Sequence, residues 1–282
     1  MALKLSCTDF SFPLLGHDHA LAVIALLGLR GADIGLFEGH GHLKPGRELL
    51  KPGANGAKLK RRLAAHGLVA ADIFLQLHAG FVEYAINHPE ASRRTFARER
   101  FQRGLDFAHA AGAKHVTILP GVTFAGETRA TGVARSVEEL TWRVAEARAA
   151  KLQVAVEPHV GSLMDTPERA LAVAERVPGL GLTLDYAHFT RAGIPDARIE
   201  PLTQRATHLH ARTARRGRLQ APMKENTIDF PRVVNVLKRQ KFTGWIALEF
   251  VWIDWEHCNE VDIISETLQL KKLLTASVPS TQ

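Results

Sequence analysis

The sequence predicts a single (β/α)8 barrel, and three observations carry that prediction. Short β-branched or apolar runs recur along the chain, each followed by a longer segment with apolar residues at three-to-four spacing, which is the pattern of parallel βα units. Eight such runs can be counted in 282 residues, leaving about 35 residues for each strand, its helix and the crossover loops that parallel pairing demands. No stretch rich in Pro, Gly or Ser divides the chain, so one barrel over residues 1–282 is preferred to two smaller domains.

Strands are expected at Leu3–Cys7, Ala32–Phe37, Val69–Leu77, His115–Leu119, Leu152–Glu157, Gly181–Asp185, Thr207–His210 and Trp245–Phe250. Between the first two, the apolar run Leu21–Leu29 is far short of the ~20 residues that cross a bilayer. Asp9 and Asp18 precede it, so it reads as a core helix rather than a membrane span or leader. After the third strand, Arg93–Ala111 places Phe96, Phe101, Leu105 and Ala108 on one side and arginines elsewhere, an amphipathic helix with a solvated charged face. After the fourth, Ser136-Val-Glu-Glu139 matches a helix N-terminal capping pattern. After the fifth, Asp165-Thr-Pro-Glu168 does the same, with Pro167 where a first helical turn tolerates it.

Composition narrows the class. Hydrophobic residues are 46% and charged residues 23% of the chain, enough apolar material for a large core, which excludes disordered and fibrous classes. Cys7 and Cys258 are the only cysteines, too few for a disulfide framework or a cysteine-rich zinc site, so a reducing compartment, the cytoplasm, is expected. Lys plus Arg is 36 against 29 for Asp plus Glu, a net charge of +7, which permits an anionic partner such as nucleic acid or an acidic substrate.

Barrels of this kind place chemistry at the carboxyl ends of their strands. There, strand five, Leu152-Gln-Val-Ala-Val156, gives way to Glu157, Pro158 and His159. Strand six ends in Asp185, with His188 three residues on; strand seven ends in Thr207-His-Leu-His210; strand eight, Trp245-Ile-Ala-Leu248, ends in Glu249. Three carboxylates and an imidazole converging at one rim suit a hard divalent cation, Mn²⁺ or Mg²⁺ before Zn²⁺ or Co²⁺, because oxygen donors dominate. The competing expectation is that these carboxylates pair with the chain's arginines. Phe10, Phe12, Phe37, Phe81, Phe124, Trp252 and Trp255 lie near strand exits, where aromatic faces either wall a sugar-sized pocket or pack loops together. His40 and His42 have no evident carboxylate partner and stay unassigned.

The chain resembles the sugar phosphate isomerase/epimerase group of xylose isomerase-like barrels. The likeness rests on Val156-Glu157-Pro158-His159-Val-Gly-Ser162, Leu184-Asp185-Tyr-Ala-His188, His208-Leu-His210-Ala-Arg212, Asn226-Thr-Ile-Asp229-Phe230 and Gly244-Trp-Ile-Ala-Leu-Glu249. It covers most of the chain and is specific for fold and metal site, less so for substrate. It implies one divalent metal ion on Glu157, Asp185, His210 and Glu249, with Glu157 and Glu249 also exchanging the substrate proton. His188 resembles a histidine that contacts a substrate oxygen. Arg216, in Arg212-Thr-Ala-Arg215-Arg216-Gly-Arg218, falls in a loop where some family epimerases carry a substrate-binding arginine, suited to phosphate or carboxylate. His78, ending strand three, resembles a metal-binding position of multinuclear members; as a lone histidine it is expected to contact substrate or pack.

The chemistry has its own logic. Removing a proton next to a ketone leaves an enediolate, which a cation on its oxygens stabilises, and a carboxylate on each face could remove and return the proton. The expected function is therefore a metal-dependent isomerase or epimerase of a sugar, sugar phosphate or related polyhydroxy carbonyl compound. The expected partner is a small sugar-like molecule, with no specific nucleic acid and no membrane; monomer and homo-oligomer stay open. The rivals are a dehydratase of a related polyol or keto acid, an abasic-site endonuclease and a non-catalytic sugar-acid-binding barrel. Strand four exits through Leu119-Pro120-Gly121 without a histidine, and Asp229-Phe230-Pro231 lacks the histidine two residues after the aspartate, which argues against the endonuclease branch's three-metal site. Some ketose epimerases carry a further glutamate where this chain has Leu163, which lowers the expectation of free ketohexose epimerisation and raises isomerisation or dehydration of a related polyol or keto acid.

Overall fold

The computed structural model describes residues 3–277. Eight strands, β1 (Lys4–Thr8), β2 (Gly31–Phe37), β3 (Val69–Gln76), β4 (His115–Ile118), β5 (Gln153–Val156), β6 (Gly181–Asp185), β7 (Ala206–Ala211) and β8 (Trp245–Leu248), close into one barrel in chain order. Every pairing is parallel, and β8 returns to β1 through Lys4↔Trp245 to Cys7↔Leu248. Helices fill the crossovers, so the fold is the (β/α)8 barrel that the alternating pattern predicts. Each expected strand is present, β6 with the expected bounds and the others with one or both ends shifted by one or two residues, a shift set by where ladder hydrogen bonds stop.

The barrel interior is more polar than the apolar strand patterns suggest. β7 and β2 are not neighbours, yet Nε2 of His208 lies 2.5 Å from Oδ2 of Asp33, a contact that crosses the inside of the barrel. His115 on β4 bonds Asp72 through Nδ1 at 2.7 Å and Thr207 through Nε2 at 2.9 Å, and the Thr117 and Thr183 hydroxyls meet at 2.7 Å. Side chains alternate across a strand with period two, so once His208 points inward, His210 does as well. At the opposite end of the barrel, Gly244 lets backbones close up: a Cβ there would stand 2.1 Å from the Thr207 carbonyl oxygen.

Two helix starts differ from expectation. The helix after β4 runs Arg129–Ala149 and is capped by Thr128, whose side chain accepts from the Thr131 N–H at 3.2 Å. Ser136 therefore sits inside it, buried, and donates its hydroxyl to the Pro120 carbonyl at 2.7 Å. The helix after β5, Pro167–Arg176, starts as expected with Pro167 in its first turn, but Thr166 rather than Asp165 is the cap. The apolar run Leu21–Leu29 lies in the helix His17–Leu26 up to Leu26 and ends in the turn that follows it. No described helix is long and apolar enough to cross a membrane.

The charged face of the helix Ala91–Ala111 is not simply solvated. Arg98 donates to both oxygens of Glu139 on the next helix at 2.9 and 3.0 Å, and Arg94 approaches the same carboxylate at 3.4 Å. Glu139 also accepts from the fully buried Arg143 at 2.7 Å. One buried carboxylate thus ties two outer helices together.

Candidate active site

Glu157 directly follows β5, Asp185 closes β6, His210 is next to last in β7 and Glu249 follows β8. All four are buried and meet at the carboxyl-terminal mouth of the barrel. Nδ1 of His210 donates to Oε1 of Glu157 at 2.6 Å and stands 3.3 Å from Oε2 of Glu249. Its Nε2 lies 3.5 Å from Oδ2 of Asp33, which links the mouth to the polar interior.

Burial and charge set the protonation states. Burial would discharge His210, but the Glu249 and Glu157 carboxylates prevail and hold its pKa well above the ordinary histidine value. Burial pushes Glu157 up to about 7, with His210 opposing and the neighbouring Glu249 reinforcing. Burial also favours the neutral acid at Glu249, yet Arg212 and His210 together keep it below the usual carboxylate range. Two glutamates in one site therefore have pKa values driven apart, the condition for one to take a proton while the other stays charged.

A cavity of about 380 Å³ opens above this cluster. Glu157, His159, His188, Arg212 and Glu249 line it together with Phe10, Phe37, Phe74, Phe81 and Trp255. His188 faces the cavity; burial and the nearby Arg212 guanidinium keep it neutral. Burial likewise lowers His159 to about 4, and its Nε2 has no hydrogen-bond partner. Of the aromatic residues at strand exits, Phe10, Phe37, Phe81 and Trp255 do form wall. Phe12 is buried away from it, Phe124 packs edge-on against His88, and Trp252 is exposed. His40 is also part of the wall, whereas His42 stacks on His17 at 5.0 Å.

Two expected substrate contacts are elsewhere. Arg216 does not line the cavity; its side chain lies against Gly193, because the loop after β7 turns outward beyond Ala214. Its neighbours are paired, Arg215 with Glu225 at 2.8 Å and Arg218 with Glu260, so no phosphate-sized arginine cluster faces inward. His78 is exposed and accepts from the Gly80 N–H at 3.1 Å, beside a smaller cavity of about 50 Å³ rather than in the main one. It has passed the end of β3 and follows the turn there.

The arginine that does enter is Arg212. It donates through Nε and Nη2 to Oδ2 of Asp185 at 2.9 and 2.7 Å, and Nη2 stands 3.2 Å from Oε2 of Glu249. The signal was its spacing: two residues after His210, it falls on the same side of the chain. Asp33 and Asp72 carried a signal too, as lone carboxylates inside apolar runs.

The donor set fits a cation. Glu157, His210 and Glu249 each present a ligand atom within 4.8 Å of the others, as do Glu157, Asp185 and His188. Oε2 of Glu249 is buried and accepts no well-aligned hydrogen bond, although Nη2 of Arg212 and Nδ1 of His210 stand 3.2 and 3.3 Å from it. Asp185 is less free: Oδ1 accepts the Ala187 N–H at 2.8 Å and Oδ2 takes both Arg212 donors.

Similarity to known proteins follows the fold. D-psicose 3-epimerase from Clostridium cellulolyticum H10 superposes with a TM-score of 0.76 at 14% identity, covering 98% of this chain and 99% of that one. A 3-keto-D-glucoside 4-epimerase from E. coli gives 0.72 at 15% identity, covering 98% and 100%. An AP endonuclease, family 2, from Brucella melitensis gives 0.70 at 16% identity, covering 96% and 99%. At such identities the likeness is one of fold. None of the curated proteins matches the chain. The profile of the xylose isomerase-like TIM barrel matches residues 21–273, nearly the whole barrel, and the chain belongs to that family.

Proposed function

We propose that this chain is a divalent-metal-dependent isomerase or epimerase of a small polyhydroxy carbonyl compound, acting through an enediolate with Glu157 and Glu249 as the acid–base pair. The observation that carries this is the meeting of two buried glutamates, with pKa values driven apart, at the floor of one sugar-sized cavity. Epimerase activity is what two of the similar structures are named for. Glu157 accepts the proton beside the carbonyl, and Glu249 serves the opposite face. Neutral His188 meets a substrate oxygen, and the aromatic wall excludes water.

Glu157, His210 and Glu249 would hold the ion, and Asp185 is the fourth expected ligand. Oxygen donors favour Mn²⁺ or Mg²⁺, and the ion supplies charge stabilisation to the substrate oxygens when bound. With Arg215 and Arg218 paired and Arg216 outside the cavity, an unphosphorylated substrate fits better than a sugar phosphate. A deep cavity of this size suits a small molecule rather than a duplex. The two free, buried cysteines support a cytoplasmic setting. A second reading, dehydration of a related polyol or keto acid, is favoured by Leu163, which is buried and apolar. It begins with the same proton removal.

The test is a screen of ketoses, sugar phosphates and inosose-like compounds in deuterated water with added Mn²⁺. We expect metal-dependent deuterium incorporation into an unphosphorylated compound. No incorporation into any of them, with metal bound, would contradict proton transfer as the reaction.

A further inference from the structure

Among the described residues, Arg212 is the only lysine or arginine that lines the cavity, and its side chain is 3% exposed. A guanidinium cannot give up its proton in a protein, so it brings a permanent positive charge to the cluster. That charge is spent on the atoms a metal would use. Oδ2 of Asp185 receives two Arg212 N–H groups, and its Oδ1 is already held by the Ala187 N–H. Nη2 also stands 3.2 Å from Oε2 of Glu249, the oxygen that His210 Nδ1 approaches at 3.3 Å. A divalent ion coordinated by both carboxylates would have to displace the guanidinium or sit against a like charge.

We propose that Arg212 is a resident cation that competes with the divalent metal at this site. The metal then enters through Glu157, His210 and Glu249, while Arg212 fills the place that Asp185 would offer. The inference rests on the metal reading given above, and it makes this chain a weaker metal binder than its ligand types alone would suggest. Both cations counter the same carboxylates, so part of the cluster's negative charge is offset whether or not metal is present.

The experiment titrates metal-free protein with MnCl₂ by calorimetry and follows melting with and without Mn²⁺, for wild type, Arg212→Met and Arg212→Lys. Arg212→Met removes the charge at similar volume and should bind one Mn²⁺ at least ~10-fold more tightly than wild type, the scale seen when groups around a metal are altered. Its melting temperature should also rise more on adding Mn²⁺. Arg212→Lys keeps the charge, loses the fork and should fall between; it carries the comparison if the Met variant does not fold in EDTA. Adding Asp185→Asn to Arg212→Met should take the gain away, because Asp185 is the ligand released. Equal or weaker Mn²⁺ binding in both variants overturns the competition and leaves the metal site standing. Binding by none of the proteins overturns both, while deuterium exchange reports on the reaction separately.

Discussion

His159 shows how one buried imbalance reaches the stability of the molecule. Burial holds its imidazole at about 4, and the unfolded chain has the ordinary value near 6.5. As pH falls through about 6.5, the unfolded state takes up a proton that the folded state refuses until about 4, so stability is full above that window and is lost within it. Integrated over the window, the loss reaches up to about 3 kcal/mol. Neutral, buried His188 adds a loss of the same sign. Urea unfolding at pH 7 and pH 5 should therefore show a smaller drop for metal-free His159→Gln than for wild type. An equal drop in the two proteins would mean that His159 already charges in the folded state.

Residue by residue, the sequence exposed what sits on strand ends. Glu157, Asp185, His210 and Glu249 could be found because each interrupts or ends an apolar run. Arg212 could not be told from Arg215, Arg216 and Arg218 by composition. What separates them is distance from the strand: period-two alternation still governs Arg212, whereas Arg215 to Arg218 lie in a turn closed by the Arg215–Arg218 bridge, whose direction no local pattern fixes.

At the scale of elements, the Glu139 knot joins the helices Ala91–Ala111 and Arg129–Ala149. Glu139→Ala leaves the buried Arg143 unpaired and removes the partner of Arg98, so it should cost about 3–5 kcal/mol. Replacing the buried arginine as well, Glu139→Leu with Arg143→Met, should recover most of that loss, because two apolar groups need no partner. Chemical denaturation measures both, and a double variant as unstable as the single one would show that packing, not the unpaired charge, sets the cost.

Such ties were hidden in the sequence. The arginines of Ala91–Ala111 have helical spacing that suits a solvated face, and only the approach of a second helix turns that face into an interface. Ser136 was misplaced for a related reason. Its Ser-x-x-Glu pattern is a valid cap signal, but the preceding residues continue the helix to Thr128, and the serine hydroxyl bonds the Pro120 carbonyl instead. Strand positions were legible throughout because β-branched and apolar runs mark them. Their exact ends were not, since those depend on register.

The whole molecule is a closed eight-strand barrel whose interior carries a polar line from His115 and Asp72 through His208 and Asp33 to His210. That line fixes the His210 ring from below, while Glu157 and Glu249 engage it from above. The central claim is that these two glutamates move the substrate proton across the mouth of this barrel. Its most direct test is deuterium exchange into the substrate found by screening, measured at saturating Mn²⁺ for wild type, Glu157→Gln and Glu249→Gln. Each variant should fold, and each should lose about 10²- to 10⁴-fold in exchange rate, the usual contribution of a positioned proton-transfer group. Wild-type exchange in either variant would contradict the account, because the proton would then be moving through another group.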